Sequence, residues 1–280
     1  MEVAYCEQKT DLYLMQANKI IKLNEKHNFE ISEVSRASPQ IINNYTSYEF
    51  SDGNRSSDSN FDSFDIEFTC RFTTNGNVDY HVRLDELFED IFIRKEYYIF
   101  HTKTPGKKYC VHPAPFDIDR KGAGHAQFTL RFEVFKGFSE SLGTSLSPFA
   151  FSEGIWQAGQ GIVSQNYKYK HTSNRFIVYN AGSFDIDPRM HDLRITIKNC
   201  RSDGLLTINN KSTGEKFVFN EKIYAYDTIE LDGSNILKNG VRCGRKTNLG
   251  LISLLSGGNE IEIENVSNIE TTWDFPFLYK

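Results

Sequence analysis

A mostly β chain in two domains is the fold class this sequence predicts, and three observations carry it. Residues Phe64, Ile66, Phe68, Cys70 and Phe72 alternate with Asp65, Glu67, Thr69 and Arg71, the period of two that belongs to a half-buried strand. From Phe176 onward, short apolar runs recur between clusters of Gly, Asn, Asp and Ser, as in an antiparallel sandwich. Helical spacing of apolar residues is confined to one segment, near residues 80–95. With 280 residues the chain exceeds the usual single-domain size, so a first domain over 1–145 and a second over 146–280 are expected. Its 22 Phe and 14 Tyr, against 3 Met, suit pleated surfaces and give no sign of a Met-rich groove.

In the first domain, residues 20–50 read as short strands and loops. The stretch Ser51–Ser63, SDGNRSSDSNFDS, reads as an exposed polar loop with turn chemistry. After the strand at Phe64, Asp79 is placed to cap a helix that buries Val82, Leu84, Leu87, Phe88, Ile91 and Phe92 and leaves Asp85, Glu86, Glu89 and Asp90 in water. A hairpin follows, Tyr97–His101 and Lys108–His112 about the turn Thr104-Pro105-Gly106-Lys107. Residues 127–135 then set Phe128, Leu130, Phe132 and Val134 on one face, closing an α+β domain. Phe138–Phe149, rich in Ser, Gly, Thr and Pro, reads as a linker or crossover.

The second domain is expected to hold strands at Phe176–Tyr179, Leu193–Lys198, Leu205–Ile208, Lys216–Phe219, Thr228–Leu231, Asn259–Val266 and Ile269–Phe275, and no helix. Its ending turns at Gly257-Gly258-Asn259 and sets Trp273, Phe275 and Phe277 at period two, the pattern of a last hairpin.

A net charge of −5 with no basic stripe argues against nucleic acid as a partner. The five cysteines, Cys6, Cys70, Cys110, Cys200 and Cys243, are odd in number and never spaced Cys-x-x-Cys, so neither a zinc site nor a disulfide framework is expected, and synthesis in a reducing cytoplasm is. The first residues lack a basic stretch followed by an apolar one, and no run approaches the roughly 18 apolar residues of a membrane span.

Catalytic constellations are missing in turn. Gly137-Phe138-Ser139-Glu140-Ser141 fails the nucleophile elbow at its last position, and the Gly122/Gly124 and Gly159/Gly161 pairs lack the third glycine of a dinucleotide fingerprint. No histidine has the Glu-x-x-His spacing of a zinc helix; His81 and His191, each close to aspartates, are the two that merit a structural look. Asp58, Asn60 and Asp62 start a calcium loop, but Ser63 stands where Gly is needed and Thr69 where the bidentate Glu belongs. Asp185, Asp187, His191 and Asp192 around Pro188 can be drawn as an acid and base pair, yet Asp-Ile-Asp-Pro is also an ordinary strand-ending turn. The chain therefore reads as a non-enzyme without cofactor or metal.

The order FDIEFTCRF, YHVRLDELFEDIFI, GKKYCV, FTLRFEVF, then LRITIKN and the ending GGNEIEIENVSNIETTWDFPFLYK, resembles the distal tail proteins of siphophages over most of residues 20–280. That resemblance implies a structural virion protein at the distal end of the tail, made in the bacterial host. It implies a ring of six first domains joined to the tail tube and to the tail-tip protein. It also implies an outward-facing, galectin-like or carbohydrate-module-like second domain that holds receptor-binding or baseplate proteins. Phe64, Phe68, Leu87, Trp273 and Phe275 are the residues expected to be structural. The alternative is an adhesion module that binds host-wall sugars through exposed aromatics of the second domain, with Trp156, Tyr167, Tyr169 and Tyr179 as candidates.

Overall fold

The computed structural model describes residues 9–280 other than 17, 18, 51, 123, 151, 153 and 163–165. Cys6 and Ser51 thus lie outside the described residues. The chain divides into two compact units, Met1–Ser139 with Lys280, and Glu140–Tyr279, and each is mostly β.

The first unit contains β1 (Leu12–Gln16), β2 (Lys19–Lys22), the single turn α1 (Leu23–Lys26), β3 (Phe29–Arg36), β4 (Ile41–Ser47), β5 (Asn54–Phe61), β6 (Phe64–Thr73), α2 (Asn77–Ile91), β7 (Tyr97–His101), β8 (Lys107–Ala114), β9 (Ile118–Arg120) and β10 (His125–Val134). Its main sheet runs β2-β1-β7-β8-β10-β6-β3, with β9 also paired to β10. The spine is β6 against β10, in unbroken antiparallel register from Thr73↔His125 to Phe64↔Val134. Alternation puts Phe64, Ile66, Phe68, Cys70 and Phe72 on the same face as Ala126, Phe128, Leu130, Phe132 and Val134, and all ten are buried. Each large apolar side chain there contributes about 1.5–3 kcal/mol relative to exposure. Edge-to-face ring pairs, Phe68 with Phe132 at 5.9 Å and Phe72 with Phe128 at 6.1 Å, lock the two strands side by side.

Helix α2 starts three residues before the expected position, and Asp79 is not its cap. Gly76 occupies the N-cap with φ of 113°, and the Asp79 carboxylate reaches back from the first turn to accept the Asn75 N–H at 2.9 Å and Arg83 Nε at 2.8 Å. The Asn75 hydrogen bond and Arg83 hold Asp79 below the usual carboxylate range. The buried face is the expected one at Leu84, Leu87, Phe88 and Ile91 and differs at its margins. Tyr80, Leu87 and Ile91 point inward, whereas Val82 and Phe92 are 53% and 43% exposed. Tyr80 packs on Phe72, and Phe88 and Phe92 meet Phe116, which stacks on Phe128, so the helix is docked on the spine through aromatic rings. At its end the Tyr97 hydroxyl donates to the Ile91 carbonyl at 2.8 Å, satisfying one orphan acceptor.

Two expected loops are strands. Residues 54–61 of the polar stretch form β5, and 139–144 of the expected linker form β11. Neither shows apolar alternation: β5 is exposed on both faces, and β11 is buried through serines whose hydroxyls find partners.

The second unit contains β11 (Ser139–Thr144), β12 (Lys170–His171), β13 (Arg175–Asn180), β14 (Arg194–Lys198), β15 (Leu206–Asn210), β16 (Glu215–Phe219), β17 (Ile229–Asp232), β18 (Asn235–Lys238), β19 (Val241–Arg242), β20 (Gly257–Glu264), β21 (Glu270–Asp274) and β22 (Pro276–Tyr279). A six-stranded sheet runs β12-β21-β14-β17-β18-β19 and a four-stranded one β13-β20-β15-β16. Each buries one face: Ile195, Ile197, Ile229, Leu231 and Trp273 in the first, and Val178, Ile208, Phe217, Ile261 and Ile263 in the second. Phe176 of the smaller sheet meets Trp273 of the larger edge-on at 6.0 Å, as in a sandwich. The last strand, β22, pairs with β11. Ser145 Oγ donates to the Trp273 carbonyl at 2.7 Å and accepts the Phe275 N–H at 3.1 Å, and Ser141 Oγ accepts the Phe277 N–H at 2.8 Å.

His101, on β7, is buried against the edge of Phe68 and the face of Tyr109, with Nε2 at 3.1 Å from Thr104 Oγ1. Burial, helped by the Arg36 and Lys103 charges, pushes its pKa from 6.5 down to about 4. Between these values the unfolded chain binds the proton and the folded one does not, so stability falls as pH falls through that interval. Replacing His101 with Gln removes this term. Urea unfolding at pH 7.5 and pH 4.5 should show the variant losing about 2–3 kcal/mol less than the parent chain, from about 1.4 kcal/mol per unit. An equal loss in both would refute the assignment.

Candidate functional site

The most conspicuous surface in the first unit is the ribbon β4–β5. It leaves the sheet between β3 and β6, which pair with each other, and forms a two-stranded sheet of its own. All of β4 is exposed, and β5 is exposed up to Phe61. Asparagine and serine side chains knit it internally: Asn44 Nδ2 donates to the Asp58 carbonyl at 3.1 Å, Ser57 Oγ to the Asn44 carbonyl at 3.0 Å, and Ser59 Oγ to Asn43 Oδ1 at 2.7 Å. An isolated two-stranded ribbon is marginal in water. This one also exposes Ile41, Ile42 and Tyr45, with Tyr48 and Phe50 in its connecting turn and Phe50 fully exposed. A ribbon with unpaired edges and apolar side chains on its surface is suited to docking against another chain. Residues 41–47 fall in a stretch that reads as short strands and loops, but their pairing with β5 is hidden, because a strand exposed on both faces has no periodic pattern to read.

The residues singled out for chemistry are dispersed. Asp58 and Asn60 sit on the extended strand β5, not in a loop, and Asp62 follows it, its backbone N–H on the Gln40 carbonyl at 2.9 Å. His81 is exposed on α2 with Tyr80 edge-on at 5.0 Å. In the Asp185–Asp192 turn, Asp187 binds Arg189 through both carboxylate oxygens, and its backbone N–H donates to His191 Nδ1 at 3.0 Å. Arg189 holds the Asp187 pKa below the usual range, the opposite of what a general acid needs. Asp185 is turned to the Ser256 N–H at 2.7 Å. Of the cysteines, Cys70, Cys200 and Cys243 are free, and with Cys110 they are buried; burial pushes the Cys200 thiol up to about 11, away from reactivity.

Phe64, Phe68 and Leu87 lie in the core of the first unit, and Trp273 and Phe275 in that of the second. The four candidate sugar contacts do not form one surface, and two of them need correcting. Trp156 and Tyr169, expected to be exposed, are 2% and 4% exposed. They join Phe149, Phe275 and Phe277 in one aromatic cluster, with Trp156 Nε1 donating to the Pro148 carbonyl at 2.7 Å and the Tyr169 hydroxyl to the Tyr179 carbonyl at 2.8 Å. Their polar atoms are satisfied internally, which is what allows such rings to be buried. Tyr167 and Tyr179 are half-buried and cover each other, ring centres 4.3 Å apart and nearly parallel. The exposed aromatic pair of this unit is elsewhere, at Tyr224 and Tyr226.

Residues 18–134 match the family model described as phage tail protein RIFT-related domain, a span that begins just before β2 and ends on the last residue of β10. The match covers most of the first unit, which is thus similar to a phage tail domain. Beyond that domain, 96% of the chain follows the fold of the whole of the Dit protein of SPP1, titled a paradigm of hub adsorption apparatus in Gram-positive infecting phages, with a TM-score of 0.69 at 11% identity. A chain of the phage P2 baseplate in its activated conformation with Ca is similar over 98% of this chain and 99% of its own, with a TM-score of 0.47 and 13% identity. No curated protein matches in sequence. The family match is thus to a phage tail domain, and the likeness to the hub protein is one of fold. Among the described residues no helix is long and apolar enough to cross a membrane.

Ribbon and core should respond in opposite ways to substitution. Ile41→Asp and Tyr45→Asp are expected to shift unfolding free energy by no more than about 0.5 kcal/mol each, while Phe68→Ala costs about 3–5 kcal/mol. Chemical denaturation of the three variants checks this, and a large loss from the ribbon variants would mean that the ribbon packs on its own chain.

Proposed function

We propose that this chain is a non-catalytic hub at the distal end of a siphophage tail. The observation that carries the reading is a tail domain followed by a second unit, in a chain whose fold follows the whole length of a hub protein. In this reading the first units close into a ring of six between the tail tube and the tail-tip protein. The second units, facing outward, hold receptor-binding or baseplate proteins.

The β4–β5 ribbon supports the ring, since its exposed isoleucines and tyrosines need a neighbouring surface to bury them. Ring subunits meet through two different faces, and cyclic closure is what stops such an assembly from growing into a filament. The wall-sugar alternative loses Trp156 and Tyr169, which are core residues. Its remaining foundation is the exposed tyrosine pair of the second unit.

Light scattering over a concentration series, followed by negative-stain imaging, tests the hub. The expected species has six times the 32.2 kDa of one chain and appears as a closed ring. The double variant Ile41→Asp, Tyr45→Asp should remain folded and lose that species. A chain that stays monomeric even with tail-tube and tail-tip proteins present overturns the reading.

A further inference from the structure

In the second unit, a cleft of about 430 Å³ opens between the segments 201–203 and 222–226, with Ser267 at its side. Its size falls in the roughly 300–1,000 Å³ range of small-ligand sites. Its floor is rigid, because the backbones of Arg201 and Ser267 exchange hydrogen bonds at 3.1 and 2.9 Å, and those of Ser202 and Ile223 at 3.1 and 2.9 Å. On one wall the rings of Tyr224 and Tyr226 lie parallel, 4° apart in plane with centres at 5.5 Å. Tyr224 is 47% exposed and Tyr226 79%.

These rings are held in place from behind. Asp227, buried, accepts the Tyr224 N–H through Oδ2 at 2.9 Å, and its own N–H donates to the Tyr224 carbonyl at 2.8 Å. The same carboxylate binds Lys238 Nζ at 2.9 Å and Asn239 Nδ2 at 2.9 Å. A buried, fully engaged carboxylate thus fixes a turn that follows the core residue Ile223 and presents a stacked, exposed pair of tyrosine rings to water. Ordering them before a ligand arrives lowers the entropic cost of binding.

Around the rings stand polar groups. Lys222 pairs with Asp203 at 2.8 Å, and its Nζ lies 5.7 Å from the Tyr224 ring centre. Arg201 is exposed and has no ion-pair partner among the described residues. The opposite charges of Lys222 and Asp203 offset each other, so the cleft lacks the run of cations that a phosphate backbone requires.

We propose that this cleft binds a saccharide, with a pyranose stacked on Tyr226 and its hydroxyls taken by Arg201 and Asp203. The C–H face of a pyranose is weakly positive and apolar, a match for the negative face of a tyrosine ring, while its rim of hydroxyls needs donors and acceptors at the side. Parallel, exposed tyrosines beside an arginine and an aspartate supply both. The site is built within one unit, so it stands or falls independently of the ring.

Saturation-transfer NMR on the full chain, irradiating tyrosine ring protons, tests it with cellohexaose, chitohexaose and hexagalacturonate. Transfer to the ring C–H protons of at least one of the three is expected. Tyr226→Ala should weaken that binding at least tenfold with an unchanged melting temperature, since the ring is exposed, and Tyr226→Phe should keep it, because the face and not the hydroxyl is used. Asp227→Asn, which loosens the turn without touching the sugar, should weaken binding several-fold. No transfer to any of the three sugars, or full affinity in the Tyr224→Ala, Tyr226→Ala double variant, overturns the proposal.

Discussion

Everything in the first unit is referred to one ladder, the antiparallel pairing of β6 with β10. Its register puts every apolar residue of both strands on one face. A slip of one residue would turn that whole set to solvent, so the register is strongly specified. β3 joins the free edge of β6, β8 and β9 join β10, and α2 is placed by rings that contact Phe72 and Phe128. The ribbon β4–β5 is the part the ladder does not hold. It leaves between the two strands that border the edge and contributes nothing to the core, which frees its surface for a neighbour.

The second unit is held by a different device. Its sheets bury apolar faces in the ordinary way, but its first and last strands are also tied by Ser141 Oγ, which accepts the Phe277 N–H, and Ser145, just after β11, donates to the Trp273 carbonyl of β21 and accepts the Phe275 N–H. These bonds sit in the buried region next to Trp273, Phe275 and Phe277. Hydrogen bonds there cannot be exchanged for water without cost, so they fix the geometry of the closing strands.

The parts of this fold legible in the sequence are those with one buried and one exposed face. β6, β10, β14 and β20 announce themselves by alternation, and the turns between them by Gly and Asn. β5 and β11 do not, because a strand exposed on both faces and a strand buried through serines both look like loops. In α2 the apolar residues gave the right element and most of its inward face: Leu87 and Ile91 are buried and Leu84 packs on the core, while Val82 and Phe92 lie outward and Tyr80 takes an inward place. Aromatic content alone could not separate Trp156 and Tyr169, whose polar atoms are satisfied inside, from Tyr224 and Tyr226, which are on the surface. The i, i+2 tyrosines flanked by Lys222 and Asp227 were visible in the sequence, but their exposure was not.

Because β11 opens the second unit and β22 ends it, and the two strands pair, the first and last segments of that unit lie side by side. A folded body whose two ends are paired is closed by one seam, which all of its other strands rely on. Loosening one of the two strands leaves the other without its partner, so the unit resists fraying from either end. Ser141 and Ser145, by binding the backbone of residues 273–277, act as the clasp of that seam.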